Sequence, residues 1–276
     1  MNKLEYIPGK AGSSAIPMDG PTAFVGTAEN LRSREWSYEL GYRDLLSAVR
    51  AAREVTVNFH TDYATADTLR RAADADVYAR TPGTFVAQGE WKQRGYILAS
   101  QPQMIHFGRL ETELKIALVD GAWWRLVTRE FMADNGGGSG TFLDYEYDYE
   151  YDYSRVVYAS NVTPSVLTPS DVFMRVYGPA ENPYVIVGDN RYQLDMTIPA
   201  GGYVTVDGRD KTITLTLADG TTSNAFQYGS RGSGIGGGEY IFEPIHADTQ
   251  DVAWPGTFNF TLGWYEEEGE PPWSQS

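Results

Sequence analysis

Few residues in this 276-residue sequence have the types and spacing of a reactive site. Gly232–Gly237 reads GSGIGG and satisfies the dinucleotide fingerprint G-x-G-x-x-G. That motif holds a pyrophosphate only where a strand precedes it and a helix follows it. Here the pattern predicts a strand after the motif, at Tyr240–Ile245, and no βαβ unit around it. We therefore interpret these glycines as a mobile loop between β-strands.

Other groups that carry chemistry are also poorly arranged for it. The three histidines, His60, His106 and His246, are far apart in sequence and form no i, i+4 pair of the zinc-binding kind. The absence of cysteine excludes disulfides and thiolate metal sites. No serine lies in a G-x-S-x-G elbow, and a glycosidase carboxylate pair is defined by a separation in space. The sequence predicts no catalytic residue, no cofactor and no metal site.

Asp144–Tyr153 has the most unusual side-chain pattern, DYEYDYEYDY, and follows the glycine-rich break Asn135–Gly140. In an extended chain all its tyrosines would lie on one face and all its carboxylates on the other. The segment is a structural arm, a flexible linker or a cation-binding stretch. Cation binding has a physical obstacle, because carboxylates spaced along a strand do not converge on one ion. The arm would dock on a neighbouring subunit through Tyr145, Tyr147, Tyr149 and Tyr151.

The tryptophans offer a second candidate contact surface. Trp91, Trp264 and the pair Trp123 and Trp124 could form an aromatic platform for a sugar. Alternation along a strand buries one member of that pair and exposes the other. The exposed ring suits a protein interface at least as well as a glycan. We include Trp124 among the candidate interface residues.

The net charge of −15 limits the classes of partner. A field of that sign repels phosphate backbones and anionic lipids, so the sequence predicts neither nucleic-acid nor membrane binding. No stretch approaches the apolar length of a membrane span, and the first residues lack the apolar run of a signal peptide. We expect the chain to be made and folded in a cytoplasm.

The first half of the chain predicts a mixed α+β arrangement. Residues 1–30, interrupted by prolines, are typical of an extended arm or edge strand. Leu45–Val49 is a short helix or a turn. The convincing helix runs over Tyr63–Val77, with Asp62 or Thr65 as its N-cap. Strands follow it, and the clearest is Leu110–Leu118, in which apolar and charged residues alternate.

The second half predicts antiparallel β-structure throughout. Short alternating strands are separated by turn signals such as Gly188–Asn190, Pro199–Gly202 and Asp207–Gly208. A last strand alternates over Phe258–Trp264. Such alternation builds sheets with one buried face.

Five short motifs of this half resemble, in order and spacing, the C-terminal domain of the distal tail proteins of long-tailed bacteriophages (the siphophage Dit family, components of the tail hub). They are Tyr177–Pro183 (YGPAENP), Ile198–Gly201 (IPAG), Val206–Gly208 (VDG), Lys211–Ile213 (KTI) and Gly220–Phe226 (GTTSNAF). The order of elements over Trp36–Phe131, with Tyr38–Arg43 (YELGYR), is similar to the N-terminal ring domain of that family.

The resemblance implies a mainly β protein in three parts. These are an α+β ring-forming domain with one main helix at 1–133, a linker or arm at 134–154, and a galectin-like β-sandwich at 155–276. It also implies a structural, non-enzymatic virion protein that forms a homohexameric ring at the tip of a phage tail, assembled in the host bacterial cytoplasm. Its partners would be further copies of itself, the tail tube protein, tail-associated or tape-measure proteins, and receptor-binding or baseplate proteins.

Two other functions stay open from the sequence. A carbohydrate-binding β-sandwich module would hold a defined sugar as a monomer on its exposed aromatic residues. A glycan-active enzyme would need two carboxylates that face each other across a cleft. The oligomeric state of the chain and its binding to a glycan array distinguish these classes.

Overall fold

Antiparallel β-strands far outnumber helices among the described residues, so the fold is mainly β, as the sequence predicts. The computed structural model describes residues 4–133, 160–164 and 168–272. The chain divides into two compact units, Met1–Arg125 with Glu267–Ser276, and Leu126–Glu266. The sequence-based division assigns the last residues to the C-terminal domain, whereas the structure groups them with the first unit.

The first unit contains both α-helices of the described chain. In order, its elements are β1 (Leu4–Ile7), β2 (Ile16–Pro17), β3 (Ala23–Val25), α1 (Ala28–Arg32), β4 (Ser37–Leu40), β5 (Leu45–Val49), β6 (Arg53–Asp62), α2 (Tyr63–Ala79), β7 (Gly83–Ala87), β8 (Trp91–His106), β9 (Arg109–Leu118) and the start of β10 (Trp123–Phe131).

Strand alternation and one amphipathic helix build the core of this unit. β9 pairs with β6 on one side and with β8 on the other, and alternate residues of each strand are buried, as in Val57, Phe59 and Ile116. Helix α2 buries Leu69 and Ala73 against this sheet. The helix begins after Asp62, whose side chain accepts a hydrogen bond from the Thr65 backbone nitrogen at 2.7 Å. The predicted helix and its Asp62 cap are confirmed.

One prediction for this unit is wrong, and another is right in part. Leu45–Val49 is neither a helix nor a turn but strand β5, which pairs with β4 because the turn closed by Gly41 and Asp44 brings the two segments together. For residues 1–30 the sequence predicts an extended arm or edge strand, and their strands β1, β2 and β3 agree with the second alternative. Leu4 and Tyr6 are buried in β1, which pairs with β7, and a short helix, α1, starts at Ala28.

The end of the chain is held against the first unit by polar contacts. The buried Arg32 donates from Nη2 to the carbonyl oxygens of Pro271 and Pro272, at 3.0 and 3.1 Å. Gln88 Nε2 donates to the same Pro272 oxygen at 2.8 Å. Burial lowers the pKa of the Arg32 guanidinium, which Glu270 partly offsets. These bonds fix residues 271 and 272 beside α1 and β7.

The second unit consists of short antiparallel strands and a 3₁₀ turn at Phe226–Tyr228. The strands after the end of β10 are β11 (Ser160–Val162), β12 (Val172–Tyr177), β13 (Ala180–Glu181), β14 (Tyr184–Val187), β15 (Asn190–Gln193), β16 (Thr197–Ile198), β17 (Tyr203–Asp207), β18 (Thr212–Thr216), β19 (Thr222–Asn224), β20 (Gln250–Ala253) and β21 (Phe260–Glu268).

Two sheets of this unit enclose one hydrophobic core. One sheet has the order β19, β18, β17, β12, β21, β10, and the other has the order β11, β20, β14, β15. Buried residues of the first sheet, such as Met174 and Val206, share a cluster with Val185, Tyr192 and Val252 of the second. Two antiparallel sheets around a shared core form a β-sandwich.

The glycine-rich loop of this unit differs from its prediction. Residues 240–245 form no strand, and the G-x-G-x-x-G motif lies between a 3₁₀ turn and an irregular segment. Hydrogen bonds anchor the loop. Gly236 N donates to Glu243 Oε2 at 2.9 Å, and Ser230 Oγ donates to the backbone carbonyl oxygen of Glu239 at 2.7 Å. Glu243 is buried, and glycines such as Gly234 take the positive φ that the turns of the loop require. These glycines therefore have a structural role.

Candidate subunit interface

The hairpin of β4 and β5 exposes an apolar face that packs on no described strand. Tyr38 lies opposite Ala48 and Leu40 opposite Leu45, with a register shift after Glu39. Alternation places Tyr38 and Leu40 on one face, and Ser37 and Glu39 on the other. The two strands pair only with each other among the described residues.

A two-stranded sheet of this kind is marginally stable by itself in water. Its apolar face needs a covering surface, since contiguous exposed apolar patches mark interaction sites. The exposed large apolar side chains in and beside this hairpin are Trp36, Tyr38, Leu40, Tyr42, Leu45, Leu46 and Val49. We call the segment Trp36–Val49 the interface hairpin.

The base of the interface hairpin is fixed to the first unit. The Arg50 guanidinium lies 4.7 Å from the centre of the Trp36 ring. Arg53, on β6, donates from Nη1 to Ser33 Oγ at 2.8 Å, and its burial lowers the pKa of its guanidinium. Gly121 approaches the Arg50 carbonyl so closely that a Cβ there would lie 2.0 Å from its oxygen. The hairpin therefore projects from a rigid base.

The hairpin of β8 and β9 offers a second exposed apolar surface at its tip. Met104, Ile105 and Phe107 are all exposed there. The Tyr63 hydroxyl, at the start of α2, donates to the His106 carbonyl oxygen at 2.7 Å and supports the tip. Gly108 takes a positive φ of 74° in the turn. This tip is apolar and held in place.

Of the interface residues predicted from the sequence, the structure describes only Trp124. Tyr145, Tyr147, Tyr149 and Tyr151 lie outside the described residues. Trp124 is half-buried at the start of β10, its neighbour Trp123 is fully buried, and neither belongs to the interface hairpin.

Trp124 lies in a cluster around the buried carboxylate of Asp120, and its part in an interface stays a prediction. Its indole Nε1 donates to Asp120 Oδ2 at 3.1 Å, and Lys92 Nζ lies 5.4 Å from its ring centre. The Arg94 guanidinium donates to Asp120 Oδ1 from Nη2 at 2.9 Å and from Nε at 3.1 Å, and Arg94 N donates to Oδ2 at 2.9 Å. This carboxylate links the ends of β8, β9 and β10.

Two of the three histidines have side-chain contacts that the structure describes. His60 Nδ1 lies 3.9 Å from Glu111 Oε2 on the neighbouring strand, and His106 Nε2 contacts the sulfur of Met104. Within the described ranges no three His, Cys, Asp or Glu side chains come together as metal ligands would.

Two cavities in the first unit carry few ionisable groups. One, of about 230 Å³, lies beside α2 and has a single carboxylate, Asp74. The other, an open groove of about 450 Å³ between residues 8–17 and α2, has no carboxylate in its lining. Neither has the facing pair of carboxylates that glycoside hydrolysis uses. Of the helices that the structure describes, none has both the length and the hydropathy of a bilayer span.

The interface hairpin was missed by the sequence reasoning, although a signal for it exists. Trp36, Tyr38 and Leu40 alternate with polar residues and are separated by the short turn at Gly41–Asp44 from the apolar run Leu45–Val49. Two apolar runs around a short turn favour a hairpin. What the sequence does not reveal is that this hairpin stays uncovered.

Comparison with known proteins finds its matches at the level of structure. No family model matches the chain, and no curated protein sequence matches it. A chain of the phage P2 baseplate in its activated conformation with Ca aligns with a TM-score of 0.63 at 9% identity, over 98% of this chain and 100% of that one. The corresponding structure with Sr gives a TM-score of 0.64 at 9% identity and the same coverage.

A third solved structure is SPP1 Dit (gp 19.1), described as a paradigm of the hub adsorption apparatus in phages that infect Gram-positive bacteria. It aligns with a TM-score of 0.52 at 10% identity, over 96% of this chain and 99% of that one. Identities this low establish the fold. Over nearly its whole length, this chain has the fold of a phage P2 baseplate chain and of the SPP1 hub protein Dit.

Proposed function

We propose that this chain is a structural subunit of the hub at the distal end of a long-tailed phage tail. The observation that carries the proposal is the fold likeness to a baseplate chain and a Dit protein across 96–98% of this chain and 99–100% of theirs. A likeness that covers both units, and not one common sandwich, favours a shared role over a shared architecture alone.

Six copies would form the ring, with the first unit of each making the contacts. A ring arises when two different patches on one chain fit each other and the rotation between copies closes. The interface hairpin supplies one such patch, because its apolar face is uncovered in the single chain. Tyr145, Tyr147, Tyr149 and Tyr151 are proposed as a further contact to a neighbour.

The ring would connect the tail tube protein on one side with tail-associated or tape-measure proteins and baseplate or receptor-binding proteins on the other. It would act without catalysis, in the virion tail tip. The fold likeness to a baseplate chain and to a Dit protein supports this part of the proposal.

Native mass spectrometry and light scattering of the purified full chain test the function, with negative-stain images of the same sample. We expect a species of six times the 30.7 kDa chain mass and a ring with a central channel. A monomer at every protein concentration, together with a saturable hit on a glycan array, would refute the proposal and favour a carbohydrate-binding module.

A further inference from the structure

The first unit contains a partly open cavity that its own side chains do not fill, with apolar walls and with polar groups such as Ser100 and Thr112 in its lining. It measures about 230 Å³ and lies between α2 and strands β6, β8 and β9. Phe59, Leu69, Ile97 and Leu114 form its buried walls, and Leu98 is 48% exposed at its edge. Dry apolar cavities of about 150 Å³ bind benzene. This one therefore has room for an aromatic ring.

Charged side chains on α2 mark the edge of the same cavity. Arg70 lies 3.8 Å from Asp74, one turn further along the helix, and both side chains are more than half exposed. An exposed ion pair of this kind contributes little to stability, typically less than about 1 kcal/mol. Both charges are therefore available to pair with groups of a partner at little cost.

The turn of the interface hairpin carries an exposed aromatic ring and two charges that match those of the cavity edge. Tyr42 is 92% exposed at the turn, and Leu40 and Leu46 are exposed beside it. Arg43 and Asp44 follow Tyr42 directly, so the turn presents one positive and one negative charge next to an aromatic ring. The cavity presents apolar walls next to one negative and one positive charge, Asp74 and Arg70.

We propose that the turn of the interface hairpin of one copy inserts Tyr42 into the α2 cavity of the next copy. Arg43 would face Asp74 of that copy, and Asp44 would face its Arg70. This inference rests on the proposed ring, and it names the two surfaces that form it. Turn and cavity are different parts of one chain, so the contact can repeat from copy to copy and close into a ring, and the proposed ring uses it in this way. A reciprocal two-fold dimer would make the same contact twice and stop at two copies.

Engineered disulfides test this contact cleanly, because the chain contains no cysteine. One full-length variant carries Tyr42→Cys and another carries Ala66→Cys, at a half-buried helix position in the cavity lining. After mixing and mild oxidation, we expect a disulfide-linked dimer on a non-reducing gel only in the mixture. The bond needs Cα atoms about 4.4–6.8 Å apart. Mixing Tyr42→Cys with Thr221→Cys, an exposed position in the second unit, is the control and should give no dimer.

A chain that carries both Tyr42→Cys and Ala66→Cys should give a ladder of linked species that ends at the ring size. A ring by light scattering without the 42-to-66 bond would overturn this inference and leave the proposed function standing. A dimer of the Tyr42→Cys variant alone would also overturn it, since that bond requires a two-fold contact. Unlinked monomers under all conditions would overturn both the inference and the proposed function.

Discussion

The Tyr6 hydroxyl donates a hydrogen bond to Asp76 Oδ2 at 2.5 Å and so joins the first strand to the main helix across 70 residues of sequence. Asp76 Oδ1 also accepts from Gly9 N at 2.9 Å. Burial raises the pKa of Tyr6 well above its usual value, and the neighbouring Asp76 raises it further, so the hydroxyl stays a donor. This buried polar pair fixes the N-terminal segment in the core.

Replacing Tyr6 with Phe should lower the free energy of unfolding by about 1.5–3 kcal/mol, because a buried carboxylate loses a hydrogen-bond donor. Tyr78→Phe is the matched control, since Tyr78 lies on α2, the helix that carries Asp76, and its side chain is exposed. It should change stability by less than about 0.5 kcal/mol. Urea unfolding followed by circular dichroism measures both. Equal stabilities of the two variants would contradict a structural role for the Tyr6 hydroxyl.

Asp120→Ala should destabilise the first unit by about 2 kcal/mol, since it removes the acceptor shared by Arg94 and Trp124. The Asp120 side chain is 6% exposed, so the loss is not screened by water. Glu54→Ala, which breaks the exposed 2.7 Å pair with Lys115, should cost less than about 1 kcal/mol. Thermal unfolding of both variants gives the comparison, and a larger loss for Glu54→Ala would refute the assignment.

The N-cap of α2 should make stability depend on pH. The Thr65 backbone N–H lowers the pKa of Asp62. A carboxylate whose folded pKa lies below its unfolded pKa, about 3.9, stabilises the protein above that pH. That stabilisation is lost as the pH falls through the folded pKa. Asp62→Ala should therefore be less stable than the parent chain at pH 7, and the difference should shrink as the pH falls below about 4.

Asp62→Asn keeps a side-chain acceptor without the titrating charge, so it separates capping from charge. Its stability relative to the parent chain should also approach parity in acid. Urea midpoints measured from pH 7 to pH 2.5 decide the matter. If the difference in urea midpoint between Asp62→Ala and the parent chain stays constant over this range, the charge of Asp62 does not contribute to capping.

Polar substitutions on the interface hairpin should abolish assembly and leave the fold intact. In the double variant with Tyr38→Ser and Leu40→Ser, the exposed side chains contribute little to the monomer, so its unfolding free energy should stay within about 0.5 kcal/mol. Light scattering should report a monomer. Ile235→Ser, at an exposed apolar position in the second unit, is the control and should still assemble. Assembly of the double variant would remove the hairpin from the interface.

Sequence patterns predicted the elements whose conformation depends on residues close together in the sequence. Helix α2 has its cap at Asp62 and its apolar period in the sequence, and β9 has strict alternation, so both were found. Leu45–Val49 has no alternation of its own, and its one signal is the apolar run before the turn at Gly41–Asp44, because its partner strand decides its conformation. Residues 240–245 are mostly apolar, but they form a loop that contributes core contacts, as Phe242 does. Pairing across long stretches of sequence, as in Tyr6 with Asp76, leaves no pattern that a single sequence shows.

The candidate interface was also predictable only in part from the sequence. The apolar residues of the interface hairpin are visible in the sequence, but their exposure depends on which faces the rest of the fold covers. The cavity beside α2 is a property of packing between Leu69 and Ile97, and sequence patterns carry no information about such gaps.

The chain leaves the first unit at Arg125 and re-enters it at Glu267, through the neighbouring strands β10 and β21. The second unit is therefore inserted into the sequence of the first, and the chain enters and leaves it through two adjacent strands. A foreign domain with nearby termini could take its place without breaking the hydrogen bonds from Arg32 to Pro271, and each copy in the proposed ring would then display one foreign domain.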